Sequence, residues 1–228
     1  MAGRHHPPPD GRILLATRNR GKAREIRDVL EPLGLRVVAL DELDPEGRIP
    51  APPEDAATFA ENARRKAAYY ARTTGCWALA DDSGLEVDAL GGAPGVRSAR
   101  YAADANEGPG PGGDRASADA ANNARLLREL SDVPDDRRAA RFVCHLSLSD
   151  GRRVVCEADG AVDGRIARRP AGGNGFGYDP LFHLPELGRT AAELPPEQKN
   201  AVSHRGRAVR RFARRLRAML AADKEPPP

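Results

Sequence analysis

No apolar run in the 228-residue chain approaches the ~20 residues that a membrane helix needs, so no membrane association is expected. The opening stretch, MAGRHHPPPDGR, lacks the apolar core of a secretory signal, and the expectation is a cytoplasmic protein. Cysteine is scarce. Cys76, Cys144 and Cys156 form neither a disulfide framework nor a zinc-binding pattern. An excess of one charge is missing too: Lys plus Arg total 36 against 33 for Asp plus Glu, a net +3. That balance gives no bulk argument for a nucleic-acid partner, so none is expected. What is present, 40% hydrophobic and 30% charged residues, is ordinary for a soluble globular protein. The length suits one sizeable core, or two small lobes sharing a cleft.

Both ends are Pro-rich and polar, and residues 1–10 and 223–228 are expected to be disordered tails around one domain at 11–222. Within it, RILLA at 12–16 reads as a strand, a helical pattern with Glu25, Ile26, Val29 and Leu30 follows, and LRVVAL at 35–40 reads as a second strand. A long helix is expected over about 56–73, with Gly75 as its stop. Trp77–Ala80 runs as a strand into Asp81-Asp82-Ser83-Gly84, with another short strand at 85–87. Residues 91–116, which contain EGPGPGGD, read as a mobile surface loop, and a helix is expected over about 117–130.

Ala140–Leu148 alternates cleanly and pairs through Asp150-Gly151 with 152–158, a hairpin signal. A two-residue turn would set Cys156 opposite His145 and point Cys144 to the other face, leaving both as buried free thiols. The last helix, near 203–222, has Val209, Phe212, Leu216, Met219 and Leu220 on one stripe and its arginines largely elsewhere. That arrangement is read as the solvated face of an amphipathic packing helix rather than a nucleic-acid surface. The order of elements is mixed α/β, with a central hairpin insertion that would supply a second lobe.

Several segments carry chemistry. Thr17-Arg18-Asn19-Arg20-Gly21-Lys22 joins the first strand to its helix, where helix N–H groups, a permissive glycine and cations favour a bound phosphate. An ordinary cation-rich helix start explains the same residues equally well. Asp81 and Asp82 are adjacent and so point to opposite sides of a strand: one carboxylate can face a metal while the other braces the loop. Magnesium takes one or two carboxylates beside substrate phosphates, and Glu54, Asp55 and Glu61 are candidates for the second. An acidic β-turn is the competing explanation. Gly172–Pro180 (GGNGFGYDP) offers two rings to stack on a base and a carboxylate to read its edge, and a packed turn would use the same residues. Lys199, Ser203, His204 and Arg205 lie just ahead of the last helix, where Ser203 is a natural cap.

In order along the chain, LATRNRGKAREI, TFAENARRKA, ADDSGLEVDALGGAPGVRSARYA, AGGNGFGYDPLF and KNAVSHRGRA resemble the inosine-triphosphate pyrophosphatase family. The resemblance implies an elongated α/β fold, with a mixed central sheet flanked by helices and two lobes enclosing a substrate cleft, assembled as a homodimer. It implies hydrolysis of XTP, ITP and dITP to the monophosphate and pyrophosphate, with Mg²⁺ as cofactor. By motif, Thr17, Arg18, Asn19, Arg20, Gly21 and Lys22 are implied triphosphate contacts, and Asp82 is the implied general base and metal ligand. Glu54 is the implied second metal ligand, and Ser83 lies beside the substrate. Phe176, Gly177, Tyr178 and Asp179 are the implied base-recognition loop, with Lys199, His204 and Arg205 as further contacts. Backbone amides of 176–179, together with His204 and Arg205, would donate to the 6-oxo group of hypoxanthine or xanthine and reject adenine. The alternatives are a Maf-type pyrophosphatase acting on dTTP or UTP, which the GFGYDP and SHRG segments oppose, and a basic nucleic-acid-binding module.

Overall fold

In the computed structural model, which describes residues 12–109 and 113–222, β1 (Arg12–Leu15) has Ile13, Leu14 and Leu15 all buried. Both faces of the strand are covered, as suits a parallel strand. It pairs in parallel with β2 (Arg36–Ala39) on one side and with β3 (Trp77–Val87) on the other. Between β1 and β2 runs α1 (Arg20–Leu30), and Leu40–Leu43 form the single turn α2. α3 (Phe59–Thr74) starts where Thr58 accepts the Glu61 N–H and stops at Gly75, whose φ of 70° is available at little cost only to glycine. The expected helix therefore begins later than 56, because Thr58 supplies the cap.

The further elements are α4 (Arg115–Glu129), β4 (Ala139–Ser149), β5 (Val154–Ile166), β6 (Phe182–Leu184), β7 (Arg189–Thr190), α5 (Pro196–Val202) and α6 (His204–Ala222). The seven strands make one open mixed sheet in the order β2-β1-β3-β4-β5-β6-β7, with antiparallel pairing of β5 to β6 and β6 to β7.

The chain divides into two compact units that alternate along it. The first comprises the chain up to Asp82, Cys144–Gly160, and the chain from Arg205 onward; the second comprises Ser83–Val143 and Ala161–His204. In the first unit, one core gathers Ile13, Leu15, Ile26, Leu30, Leu79, Leu146, Phe212 and Leu216. A second gathers Leu14, Leu40, Ala67, Tyr70, Ala78 and Ala80. The second unit has its own core, in which Leu85, Val87, Leu126, Phe142, Ile166 and Phe182 meet. Phe212 is fully buried, a gain of about 2–3 kcal/mol over exposure. The α6 arginines 211, 214, 215 and 217 are exposed, as the packing-helix reading expects.

Four expectations need correcting. Asp81–Gly84 is neither a turn nor the end of a run: β3 continues unbroken to Val87, because Leu85 and Val87 are fully buried and carry the strand on. Residues 95–100 and 103–105 are short 3₁₀ turns rather than a mobile loop. Asn122 accepts the Ala102 N–H at 2.8 Å, and Leu85 donates to Ser98 Oγ at 2.9 Å, so their polar groups are satisfied inside the unit. The β4–β5 connection is four residues, with Asp150 Oδ1 accepting the N–H groups of Arg152 and Arg153 at 2.8 Å each. Cys144 and Cys156 both belong to the first unit's core and both are free, and burial pushes their thiols upward. Finally, α5 precedes the last helix, which starts at His204. The tails at 1–10 and 223–228, and part of the EGPGPGGD stretch, lie outside the described residues.

Candidate active site

The first unit holds a buried set of charges. Alternation along β3 sends Asp81 and Asp82 to opposite faces, and their partners differ accordingly. Asp81, 1% exposed, faces Lys22 Nζ of α1 at 3.1 Å and Arg205 Nε of α6 at 3.3 Å. Asp82, 6% exposed, accepts from Asn62 Nδ2 of α3 at 2.9 Å, while Asn62 Oδ1 accepts the Ala56 N–H at 2.9 Å. Arg205 also pairs with Glu25, one turn along α1 from Lys22, and Lys66 pairs with Glu54.

These surroundings separate the two acids. Burial alone would raise Asp81, but Lys22, Arg205 and Lys66 overrule it and hold the carboxyl far below the usual range. Burial also raises Asp82, with Glu54 and Asp81 adding to it. Lys22 and Asn62 oppose without prevailing, and the group is pushed up to about 6. Adjacent carboxylates are thus driven apart, one a fixed anion and one poised near neutrality to exchange a proton. Burial works against the Lys66 ammonium, yet Glu54, Asp81 and Asp82 keep it above its ordinary value.

The strand-to-helix loop is arranged by its own short side chains. Thr17 Oγ1 accepts the Asn19 N–H and Asn19 Oδ1 accepts the Lys22 N–H, each at 3.1 Å, so α1 is capped locally. The loop's cations do not converge. Lys22 meets Asp81, whereas Arg18 turns to Asp41, Asp44 and the Ile49 carbonyl. Arg20 is almost fully exposed, 4.0 Å from Asp41. Thr17, Arg18 and Arg20 line a cavity of about 320 Å³ along the flank of α1.

The second unit contains the glycine-aromatic loop. Asp179 Oδ2 accepts from Lys199 Nζ at 2.6 Å and from the Phe176 N–H at 2.8 Å. The same ammonium lies 4.8 Å over the Phe176 ring. Gly175, at φ +80°, is obligatory: a Cβ there would stand 2.2 Å from Asp179 Oδ2. The Tyr178 hydroxyl donates to the Ser98 carbonyl at 2.9 Å, and burial pushes it above its ordinary range. His204 stacks on Phe142 at 4.7 Å with 14° between the planes. Ser83 begins this unit's share of β3.

Two expectations about base contacts change. The N–H groups of Phe176, Gly177 and Asp179 donate to Asp179, Asp119 and the Phe176 carbonyl, so these amides are engaged within the unit. Arg205, 2% exposed, is held in the first unit between Glu25 and Asp81. Three participants went unforeseen: Asn62, Lys66 and Glu25. Asn62 and Lys66 stand four apart on α3, the spacing that puts both on one helix face, and that was the available signal. Glu25 lay within a helical pattern that gave it no distinction.

Asp82 and Glu54 are the carboxylates that could contribute to a divalent-cation site. Among the residues named, the four acids Glu25, Glu54, Asp81 and Asp82 face the three cations Lys22, Lys66 and Arg205. Glu54 is near enough to Asp82 for its charge to help raise that carboxyl. Among the described residues no group of three or more His, Cys, Asp or Glu could hold a metal. Two carboxylates are nevertheless the usual protein share when substrate phosphates complete the shell.

A seven-stranded mixed sheet, with a capped strand-to-helix loop whose lysine reaches a buried acid, defines an α/β protein with a buried charged centre. Residues 13–215 match the model of the Ham1 family. A dITP/XTP pyrophosphatase from Nitratidesulfovibrio vulgaris is 51% identical over 202 residues, covering 88% of this chain and 93% of that one. Another from Desulforamulus reducens is 46% identical over 200 residues, covering 88% and 92%. The solved structure of a HAM1 protein from Coxiella burnetii superposes with a TM-score of 0.75 at 39% identity, covering 91% of this chain and 98% of that one. The chain belongs to the Ham1 family.

Proposed function

We propose that the protein hydrolyses the non-standard purine triphosphates XTP, ITP and dITP to the monophosphate and pyrophosphate, removing them from the nucleotide pool. The observation that carries this reading is the split acid pair: Asp81 pinned by Lys22 and Arg205, beside Asp82 raised to about 6. Support comes from the relatives named dITP/XTP pyrophosphatase.

In the proposed reaction, Asp82 takes a proton from a water that attacks the α-phosphorus. The bond from that phosphorus to the α–β bridging oxygen breaks, and pyrophosphate leaves. Lys22 and Lys66 balance charge on the polyphosphate. Asp82 and Glu54 would hold Mg²⁺, which when bound neutralises charge on phosphate oxygens. In the base-reading role, Phe176 offers a stacking face. Lys199 and His204 take over the 6-oxo contact in place of the engaged amides. Arg205 acts through Asp81 instead of touching the base. A homodimer in the cytoplasm completes the proposal.

The test incubates pure protein and Mg²⁺ with ITP, dITP, XTP, ATP, GTP and dTTP, and identifies the products. Monophosphate and pyrophosphate from the first three are expected, and loss of turnover in EDTA. Release of orthophosphate with a diphosphate overturns the reaction assignment. Equal rates for ITP and ATP overturn the base assignment, and full activity in EDTA overturns the metal.

A further inference from the structure

The capped helix α4 carries two side chains that the reaction outlined above leaves unused. Asp119 and Asn123 stand four apart, on one helix face. Asp119 Oδ2 accepts the Gly177 N–H at 2.7 Å, and Asn123 Nδ2 donates to the Gly177 carbonyl at 3.0 Å. One residue in the middle of the glycine-aromatic loop is therefore gripped at both its N–H and its C=O by a single rigid element. The grip is itself oriented: Arg115 Nε, a turn earlier, holds the other Asp119 oxygen at 2.9 Å, and the Asp119 side chain is only 14% exposed.

Gly177 has φ +63°, so its peptide has little intrinsic reason to stay put, and it joins Phe176 to Tyr178 and Asp179. The rest of the loop is tethered elsewhere: Asn174 N–H to the Ala192 carbonyl at 2.9 Å, and Asp179 to Lys199. At Gly177 the ties from α4 are the charge-assisted bond from its N–H to Asp119 and the bond from Asn123 to its carbonyl.

We infer that Asp119, seconded by Asn123, is a positioning residue for base selectivity: the α4 grip on Gly177 fixes where the Phe176 ring and the Asp179 carboxylate stand. This rests on the reading of Phe176–Asp179 as the base-contacting loop. It places a determinant of purine choice on α4, outside the loop that touches the base. Loosening the grip affects binding and discrimination of the base, while the acids of the first unit keep their chemistry.

The experiment compares Asp119→Ala and Asp119→Asn with the full-length wild type, using ITP and ATP kinetics with Mg²⁺ and amide hydrogen exchange at Gly177. In the alanine variant the Gly177 N–H is expected to exchange about tenfold faster. KM for ITP is expected to rise roughly tenfold, and ITP-over-ATP selectivity to narrow by a similar factor, with kcat within about twofold. Asparagine keeps an acceptor oxygen, and is expected to hold all three readouts within about threefold of wild type. Faster exchange with unchanged KM and selectivity overturns the inference, as does a fall in kcat at constant KM. A wild type that shows no preference for ITP, with Gly177 protected, defeats the base-loop reading itself, and the inference with it. Should Asp119→Ala fail to fold, Asn123→Ala frees the Gly177 carbonyl and is judged by the same readouts.

Discussion

Lys22 Nζ lies 3.1 Å from Asp81 Oδ2, so the cation of the strand-to-helix loop is delivered to a carboxylate that is wholly buried. Lys22 thus neutralises an acid that has no access to water, and in the proposed function it also meets incoming phosphate charge. Lys22→Ala is expected to lower kcat/KM for ITP at least tenfold and to lower the melting temperature as well, since Asp81 is left with Arg205 as its close cation. Steady-state kinetics alongside calorimetry decide it; wild-type kinetics would remove Lys22 from the site.

Asp82 is raised to about 6 because folding buries it near Glu54 and Asp81. As a base it must be ionised, so kcat/KM is expected to fall tenfold per pH unit below about 6. Asp82→Asn is expected to cost at least about a thousandfold in turnover, and no remaining activity should show that acid limb. A pH–rate profile that is flat from 5 to 8 in the wild type contradicts the assignment.

The same group carries a stability consequence of definite sign. Its folded pKa lies above its unfolded value, so its favourable contribution is complete below the unfolded pKa and is lost as pH rises through about 6. Asp82→Asn is therefore expected to stabilise the protein at pH 8 by about 1–3 kcal/mol, and by little at pH 4. Asparagine can still accept from Asn62. Denaturant melts at the two pH values test this, and equal effects at both would refute it.

Arg205 is 2% exposed and meets two carboxylates, Glu25 and Asp81. Its removal strands both anions in the interior. Arg205→Ala is expected to destabilise by about 3–5 kcal/mol. Arg205→Lys should recover only part of this, because one ammonium cannot reproduce the geometry of a planar fork. Full stability in Arg205→Ala, measured by urea unfolding, would mean the pairs are not formed in solution.

Gly175→Ala sets a methyl group 2.2 Å from Asp179 Oδ2 at a φ that side chains rarely adopt. The Phe176–Asp179–Lys199 arrangement must yield. The expected result is a roughly tenfold rise in KM for ITP with kcat nearly intact, and an unchanged KM would show that the loop is not where base affinity arises.

How much of this was legible in the sequence varied with how local the signal was. Leu14, Leu15 and the 4-residue run of β2 announced strands through composition, and Gly75 marked the end of α3, whereas the Thr58 cap sets its start later than the periodicity suggested. Asp81 to Gly84 misled because Asp, Ser and Gly favour turns, while their tertiary partners (Lys22, Arg205 and Asn62) are remote in sequence and outweighed that preference. The segment 95–105 misled for the same reason: Asn122 satisfies its backbone from 20 or more positions away. Asp82 and Lys199 were singled out through motif likeness. Lys66 and Glu25 were missed because a lysine or a glutamate in an amphipathic helix carries no mark of burial until the packing is known.

The chain passes from one unit to the other at 82/83, 143/144, 160/161 and 204/205, and two of those junctions split the DDSG and SHRG stretches. Neither unit can be cut out, expressed alone or exchanged with that of a relative as one continuous piece of gene. A graft of the whole second unit has to carry 83–143 and 161–204 together, spliced inside the DDSG and SHRG stretches. Exchange of either unit with that of a relative therefore takes four junctions along the gene.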